Sequence, residues 1–335
     1  MRDLYNLHNF YNNDKSSKQL NNRRKSFGYQ VLGFGSGGGG AAAANGILFG
    51  GDTSGGLTAI TNLVNSLGVI TADVAGVGTA RKNMAGCEYG NDKGVFAYGT
   101  ASVTAISSTV TSLGVVSSDV AAVGTARNSP AGCDYGGDKG IMAYGYTGSA
   151  YWAGSNLVSN SGVVASDTGA VGTAKEGVVA TEYSANRDKG IFTYGHSGSY
   201  VTARNLVNNS GVVASDAAGA GTARLYTFAC RYGSDTGIIA YGYVSGGTGV
   251  ISTSNLISNT GVVSADVTGV GTARYGVGAC EYGGDKGLFA YGYVTATTTF
   301  PNISNLVSNV GVVASDTVCV GTARQYPSAC SLGIQ

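Results

Sequence analysis

The chain has 335 residues with 20 basic against 19 acidic side chains, so nothing in its overall charge draws it to nucleic acid or an anionic membrane. Charged residues make up 12% and glycine supplies 56 positions, but proline is scarce and glycine has no collagen period, so the chain does not read as a disordered low-complexity segment. No apolar run is long enough for a spanning helix, and no hydrophobic stretch follows the basic N-terminus as a signal peptide requires.

Residues 1–27 share nothing with the rest of the chain. They carry six basic residues against two acidic ones, and they interleave Tyr5, Phe10, Tyr11 and Phe27 with asparagines. Without a helical or strand period, such a segment reads as an arm that orders on a partner; Tyr5, Phe10, Tyr11, Arg23 and Arg24 are its candidate docking residues. Residues 28–45 contain Gly37–Gly40 and Ala41–Ala44. They lack the Lys-Ser/Thr of a phosphate-binding loop and read as a spacer.

From residue 46 onward one unit recurs. Gly-Thr-Ala-Arg starts at Gly78, Gly124, Gly221, Gly271 and Gly321, with Gly-Thr-Ala-Lys at Gly172, at intervals of 46 to 50 residues. That period marks an array, a solenoid or a propeller. In the unit around Arg274, Gly278–Tyr282 gives strand A, Gly283-Gly284 a tight turn, and Lys286–Ala290 strand B. A variable loop, strand C (Ser254–Asn259 in the preceding unit), a Thr260-Gly261 turn and strand D (Val262–Asp266) complete the pattern. No window has helical periodicity. A two-residue turn would set Glu281 opposite Lys286, Glu88 opposite Lys93 and Asp134 opposite Lys139. Where the acid becomes Arg231 the lysine becomes Thr236, which fits a cross-strand charge pair.

Each strand type occurs six times, but the array starts on strand B (residues 46–51) and ends on strand A (residues 328–332). An open array would leave both with bare edges. Pairing them completes six four-stranded blades, the blade size of a propeller. The expected fold is therefore all-β: a six-bladed β-propeller over residues 46–335, closed by its terminal strands and preceded by the arm and spacer.

The unit resembles the kelch repeat: an Arg before strand A, a hydrophobic strand B ending in glycine, a variable loop to C and a tight turn to D. Only Gly50-Gly51 keeps the kelch double glycine; elsewhere it is Tyr-Gly, and Trp152 lies in a B–C loop rather than on strand D. The wording SNLVSN-x-GVVASD…GTAR…DKGIFAYGY also looks like repeat proteins of tailed bacteriophages, described as tail-fibre or virion structural proteins. That resemblance implies a non-enzymatic virion protein, tail-fibre-associated or receptor- and glycan-binding. It would be made in the host cytoplasm, assembled with copies of itself and anchored to other virion proteins through residues 1–27. The alternative is a free-standing binding module, a lectin or a protein scaffold.

No catalytic, cofactor or metal site is expected. Cys87, Cys133, Cys230, Cys280 and Cys330 share one slot that holds Thr181 in another unit, so it is a packing position for free thiols. Two histidines and no CxxC argue against zinc. Asp73, Asp119, Asp167, Asp216, Asp266 and Asp316 each precede the Arg or Lys of the motif by eight residues, which suggests a turn cap and an ion pair rather than calcium. The B–C loops carry aromatics that vary between units, and Tyr146, Tyr151, Trp152, Tyr200, Tyr243 and Tyr293 are the candidate ligand contacts.

Overall fold

Alternating apolar and small residues, glycine turns and abundant β-branched side chains leave the repeats one economical solution, the antiparallel strand. The computed structural model describes residues 45–121, 123–244 and 249–333; Tyr5, Phe10, Tyr11, Arg23, Arg24 and the spacer up to Ala44 lie outside them. Among the described residues there is no helix, and the strands form antiparallel sheets of three or four strands plus one two-stranded ribbon, Asp52–Thr53 with Gly56–Leu57.

In five sheets the A, B and C strands follow one another along the chain. Gly278–Tyr282 pairs with Lys286–Ala290, which pairs with Ile303–Val307. The remaining sheet joins the two ends of the repeats. Gly46–Phe49 pairs with Ser328–Ser331 on one side and Thr61–Val64 on the other, with Ile47 opposite Cys330. The B strands lie in the middle and are buried on both faces; Leu288, Phe289 and Ala290 are fully enclosed.

The hairpin register differs from the sequence expectation by one residue. Lys286 faces Tyr282, Lys93 faces Tyr89, Lys139 faces Tyr135 and Thr236 faces Tyr232, while the acids and Arg231 face glycines. Three residues rather than two separate the last paired residues, and a one-residue slip moves every side chain to the other face. The lysines bond instead to the aspartate beside them, as Lys139 Nζ does to Asp138 Oδ1 at 2.8 Å. The acids are released into the interior.

Strand D is also less regular than expected. Only Thr317–Val318 is a strand; elsewhere the segment touches C through two isolated bridges, such as Ile257 with Val263 and Ser254 with Val267. Four residues on C, such as 254–257, face five on D, 263–267, so each D segment carries a bulge. An Asn of strand C fills it: Asn255 Nδ2 donates to Ser264 O at 3.0 Å and to Asp266 Oδ1 at 2.9 Å.

These asparagines organise a clasp. The Asp accepts from the Thr of the Gly-Thr-Ala-Arg motif that leads into its own sheet, about forty residues earlier, not from the motif eight residues later. Asp119, Asp167, Asp216, Asp266 and Asp316 hold Thr79, Thr125, Thr173, Thr222 and Thr272, and Asp73 holds Thr322, with Oγ1–Oδ2 distances of 2.6–2.7 Å. The cation of the motif turns inward and donates to the Asn, as Arg274 Nη2 does to Asn305 Oδ1 at 2.6 Å. Where Ser108 replaces Asn, Arg81 reaches Asp119 directly at 3.1 Å. Burial alone would raise these carboxyls. The bonds from Thr and Asn, or for Asp119 from Thr79 and Ser108 with the Arg81 charge, outweigh it and hold Asp266, like the other five, below the ordinary range.

Neighbouring sheets meet through small residues. A Cβ on Gly94, Gly140, Gly190, Gly287 or Gly46 would fall 2.3–2.6 Å from the sulfur of Cys330, Cys87, Cys133, Cys230 or Cys280 in the preceding sheet. Thr181 takes that place against Gly237. The glycine after the turn lysine thus exists to admit the thiol. All six cysteines are free. The strand-B tyrosines Tyr98, Tyr144, Tyr194, Tyr241 and Tyr291 are fully buried under the next motif's cation, 3.6–4.8 Å from ring centroid to charge, and each hydroxyl donates to a backbone carbonyl such as Val320 O at 2.8 Å.

Candidate functional site: an aromatic row and an acidic cavity

Strand B runs past its buried Tyr-Gly into the B–C loop, and the next residue bridges to the segment following the motif cation. That slot holds Tyr146, His196, Tyr243 and Tyr293 in successive sheets, bridged to Asn128, Glu176, Leu225 and Tyr275. Tyr151, at the start of the strand Tyr151–Val158 and paired with Tyr146, fills one gap, and Tyr200 and Phe300 fill the others. The rings run Tyr146, Tyr151, His196, Tyr200, Tyr243, Tyr275, Tyr293, Phe300, with successive centroids 5.2–6.5 Å apart, mostly edge-on or tilted. Tyr226 and Tyr326 join at Tyr275, 6.1 and 5.7 Å away. The eight rings of the row are half-buried, packed on each other on one side and open to solvent on the other. Tyr151 Oη and His196 Nδ1 are 2.9 Å apart, which fixes both rings.

Five of the six loop aromatics singled out in the sequence therefore come together. Trp152 does not join them. It covers the Arg127 guanidinium at 4.1 Å, with Tyr98 on the other side at 3.6 Å, so its ring is tied to a buried cation. Sequence reasoning left out His196 and Tyr275. The shared slot after Tyr-Gly would have found the first; the second sits directly after the motif Arg, where no other unit has an aromatic.

The second feature lies where the A strands converge. The residue after each Cys or Thr181 is Glu88, Asp134, Glu182, Arg231, Glu281 or Ser331, and all six line one cavity of about 110 Å³. Arg187 reaches the same acids from the lengthened turn of the third hairpin. Its Nη1 donates to Glu88 Oε2 at 2.7 Å and its Nη2 to Glu281 Oε2. Asp188 and Ser184 brace that turn, side chain to side chain at 2.6 Å. Arg231 approaches Glu182 and Glu281 at 4.0 and 3.9 Å. So the charge exchange noted in sequence at Arg231 is compensated, but by acids of neighbouring hairpins rather than by Thr236. Burial raises Glu88 and Glu281 to about 7, and Arg187 offsets only part of that; burial and the neighbouring acids also push Asp134 up. The thiols beside them are pushed up by burial as well, which makes them poor nucleophiles.

No protein-family model matches the chain, and no curated protein matches it significantly.

Proposed function

We propose that the repeats form a six-bladed, kelch-like β-propeller that serves as the non-enzymatic recognition head of a tailed-bacteriophage virion protein, tail-fibre-associated and anchored by residues 1–27. Closure is supported by the sheet shared between Gly46–Phe49 and Ser328–Ser331 and by the Thr322–Asp73 clasp, which repeats across the chain ends the bond made within every other sheet. The virion assignment rests on the likeness of the repeat wording to phage tail proteins.

The observation that carries recognition is the aromatic row. Eight half-buried rings from neighbouring loops, flanked by Ser, Thr and Gly and free of charged neighbours in sequence at Tyr200 and Tyr243, suit the apolar faces and hydroxyls of a surface glycan. A row of aromatic rings binds without doing chemistry, and the buried thiols and clasped aspartates offer no nucleophile–base pair beside it.

The test is binding to host cells and to a glycan panel. Tyr200→Ala with Tyr243→Ala should lower affinity at least about tenfold, roughly 1.4 kcal/mol, with the fold intact by circular dichroism. Unchanged binding by that variant refutes the row as the recognition surface. A chain starting at Gly28 should bind equally well yet fail to incorporate into particles; normal incorporation refutes the anchoring role of the arm.

A further inference from the structure

Six turns join strand C to segment D, and they differ sharply at one position. It holds Leu67, Leu113 and Val310 in three sheets, but Ser161, Ser210 and Thr260 in the other three. Ser161 and Thr260 bond to a neighbouring hydroxyl at 2.9 Å. The three apolar side chains have no such use, and they are 73%, 63% and 70% exposed beside the half-or-more exposed Val69, Val115 and Val312. The sheets concerned are consecutive. Gly46 meets Cys280 and Gly94 meets Cys330, so the sheet of the chain ends lies between those of Gly278–Tyr282 and Ala85–Tyr89.

Two further observations make this a surface rather than scattered residues. Of the fifteen large apolar side chains exposed among the described residues, eleven belong to these three sheets, including Val318 on segment D. The turns are also linked by apolar seams. A Cβ on Gly68 would fall 2.9 Å from Leu306 Cδ2, and one on Gly114 2.2 Å from Leu63 Cδ2. Each turn thus lies on the half-buried leucine of the sheet before it. At their exposures the six turn residues alone offer on the order of 600 Å², the upper end of the largest apolar patch on an ordinary monomer. An interface is only about 57% apolar, so this strip with its polar margin reaches roughly 1,000 Å² per partner, above the roughly 800 Å² of a standard one.

We propose that the strip is a self-association surface, on which a second copy of the chain docks strip to strip about a twofold axis. Such a contact needs a patch complementary to itself. Apolar side chains meet that need, and charge does not oppose it. The hairpin turns at the same end carry Asp92 with Lys93 and Asp285 with Lys286, each pair neutral within itself. Asn65, Ser66, Thr111, Ser112, Ser308 and Asn309, beside the apolar six, are uncharged. A nucleic acid or an anionic membrane would call for an excess of lysine and arginine instead. The turns of Ser161, Ser210 and Thr260 mark the limit of the surface. Because strand C runs antiparallel to B, the C–D turns lie at the opposite end of the sheets from the B–C loops and their aromatic row. Docking therefore leaves the row open and gives each dimer two rows, whatever the row binds.

The experiment is sedimentation velocity of the full chain from about 1 to 100 µM, where a reversible dimer with a dissociation constant in the micromolar range or below is expected. Leu67→Ser with Leu113→Ser and Val310→Ser installs the residue type that other turns carry. It should keep the circular dichroism spectrum and weaken dimerisation at least about hundredfold. Val310→Lys alone, at an exposed position, should weaken it in the same direction and guards against a folding defect in the triple variant. Val163→Ser with Val212→Ser, on sheets outside the strip, should leave dimerisation unchanged. A dimer that the triple variant and Val310→Lys both keep, or that the Val163 and Val212 changes break, overturns the proposal. So does a wild type that stays monomeric at about 100 µM, which would leave another protein or the chain's own residues 1–44 as the cover of the strip.

Discussion

Arg187→Gln is the most informative single change, because its effect depends on pH in a direction fixed by the cluster. Arg187 joins acids from two other hairpins, Glu88 and Glu281, and comes from a turn whose neighbours Ala185 and Asn186 are less enclosed than the acids it reaches. Removing one partner of a buried ion pair costs about 3–5 kcal/mol, because the other charge is left behind. Here two acids are left, and they respond by taking up protons. Glu88 and Glu281 stand at about 7 with Arg187 present. Without it they rise further, since the main charge holding them down is gone.

Both folded values lie above the unfolded one, so the folded state holds more protons between about 4.5 and 7. Each group's favourable contribution is complete below the unfolded value and is lost as pH rises through 7. The variant extends that loss to higher pH. At about pH 5.5 both acids are largely neutral, and the substitution should cost only lost hydrogen bonds, about 1–3 kcal/mol in total. At about pH 8.5 it should cost about 3–5 kcal/mol or more. Urea unfolding of both proteins at the two pH values measures the difference. A penalty that is the same at both, or larger in acid, refutes this account of the cluster.

Two further changes probe the framework. Lys175 is the one Lys among six motif cations, fully buried, and burial lowers it to about 8. Its folded value lies below the unfolded one, so the wild type should gain stability as pH rises from about 8 to 10.5, and Lys175→Arg should remove that rise while adding about 1–2 kcal/mol at pH 7, measured by urea unfolding across pH. Gly287→Ala should cost about 1–3 kcal/mol by driving a methyl into Cys230 Sγ, and Cys230→Ala beside it should restore part of that; additive costs in the double-mutant cycle would refute the contact.

How far the sequence could be read is clearest at Glu281. The period, the A, B and C strands and the pairing of the first B strand, Gly46–Phe49, with the last A strand were legible, because each depends on backbone pattern alone, whereas segment D was expected as a strand and forms one only at Thr317–Val318 among the described residues. The covariation of Glu281-type acids with Arg231 was also visible, but its partner was misassigned. A two-residue and a three-residue hairpin turn leave the same glycines in the sequence, and the difference of one residue decides whether the acid meets a lysine or the interior. Asp266 shows the same limit. Its eight-residue distance from Arg274 is constant, yet its partner is Thr222, forty-four residues away, because a clasp across a sheet leaves no fixed local spacing. The aromatic row was found in part for the opposite reason: variable loop aromatics stand out in the B–C segments, whereas the position after the motif cation holds Lys82, Asn128, Glu176, Leu225, Tyr275 and Gln325 in turn, so its one aromatic carried no pattern and was overlooked.

These two kinds of position divide the work between stability and recognition. The Thr–Asp–Asn clasp, the Cys–Gly contact and the buried tyrosine under its cation recur from sheet to sheet, and each needs its neighbours in fixed places. They leave little freedom, and where one member changes another follows: Ser108 lets Arg81 reach Asp119, and Thr181 keeps a small partner in Gly237. The slot after Tyr-Gly and the B–C loop behind it carry no such bond. Thr100, Tyr146, His196, Tyr243 and Tyr293 all occupy that slot on the same backbone bridge. Side chains there can change without disturbing a clasp, which is why a repeat array can vary its ligand while holding its fold. The cavity cluster belongs to neither kind. Its residues differ from sheet to sheet, yet they are buried and electrostatically interdependent, so a change at Arg231 or Arg187 is felt at Glu281. Interdependent charges of that sort are not interchangeable packing, and their uneven distribution makes the A-strand cavity a buried place where the six units must be read as different residues rather than as copies.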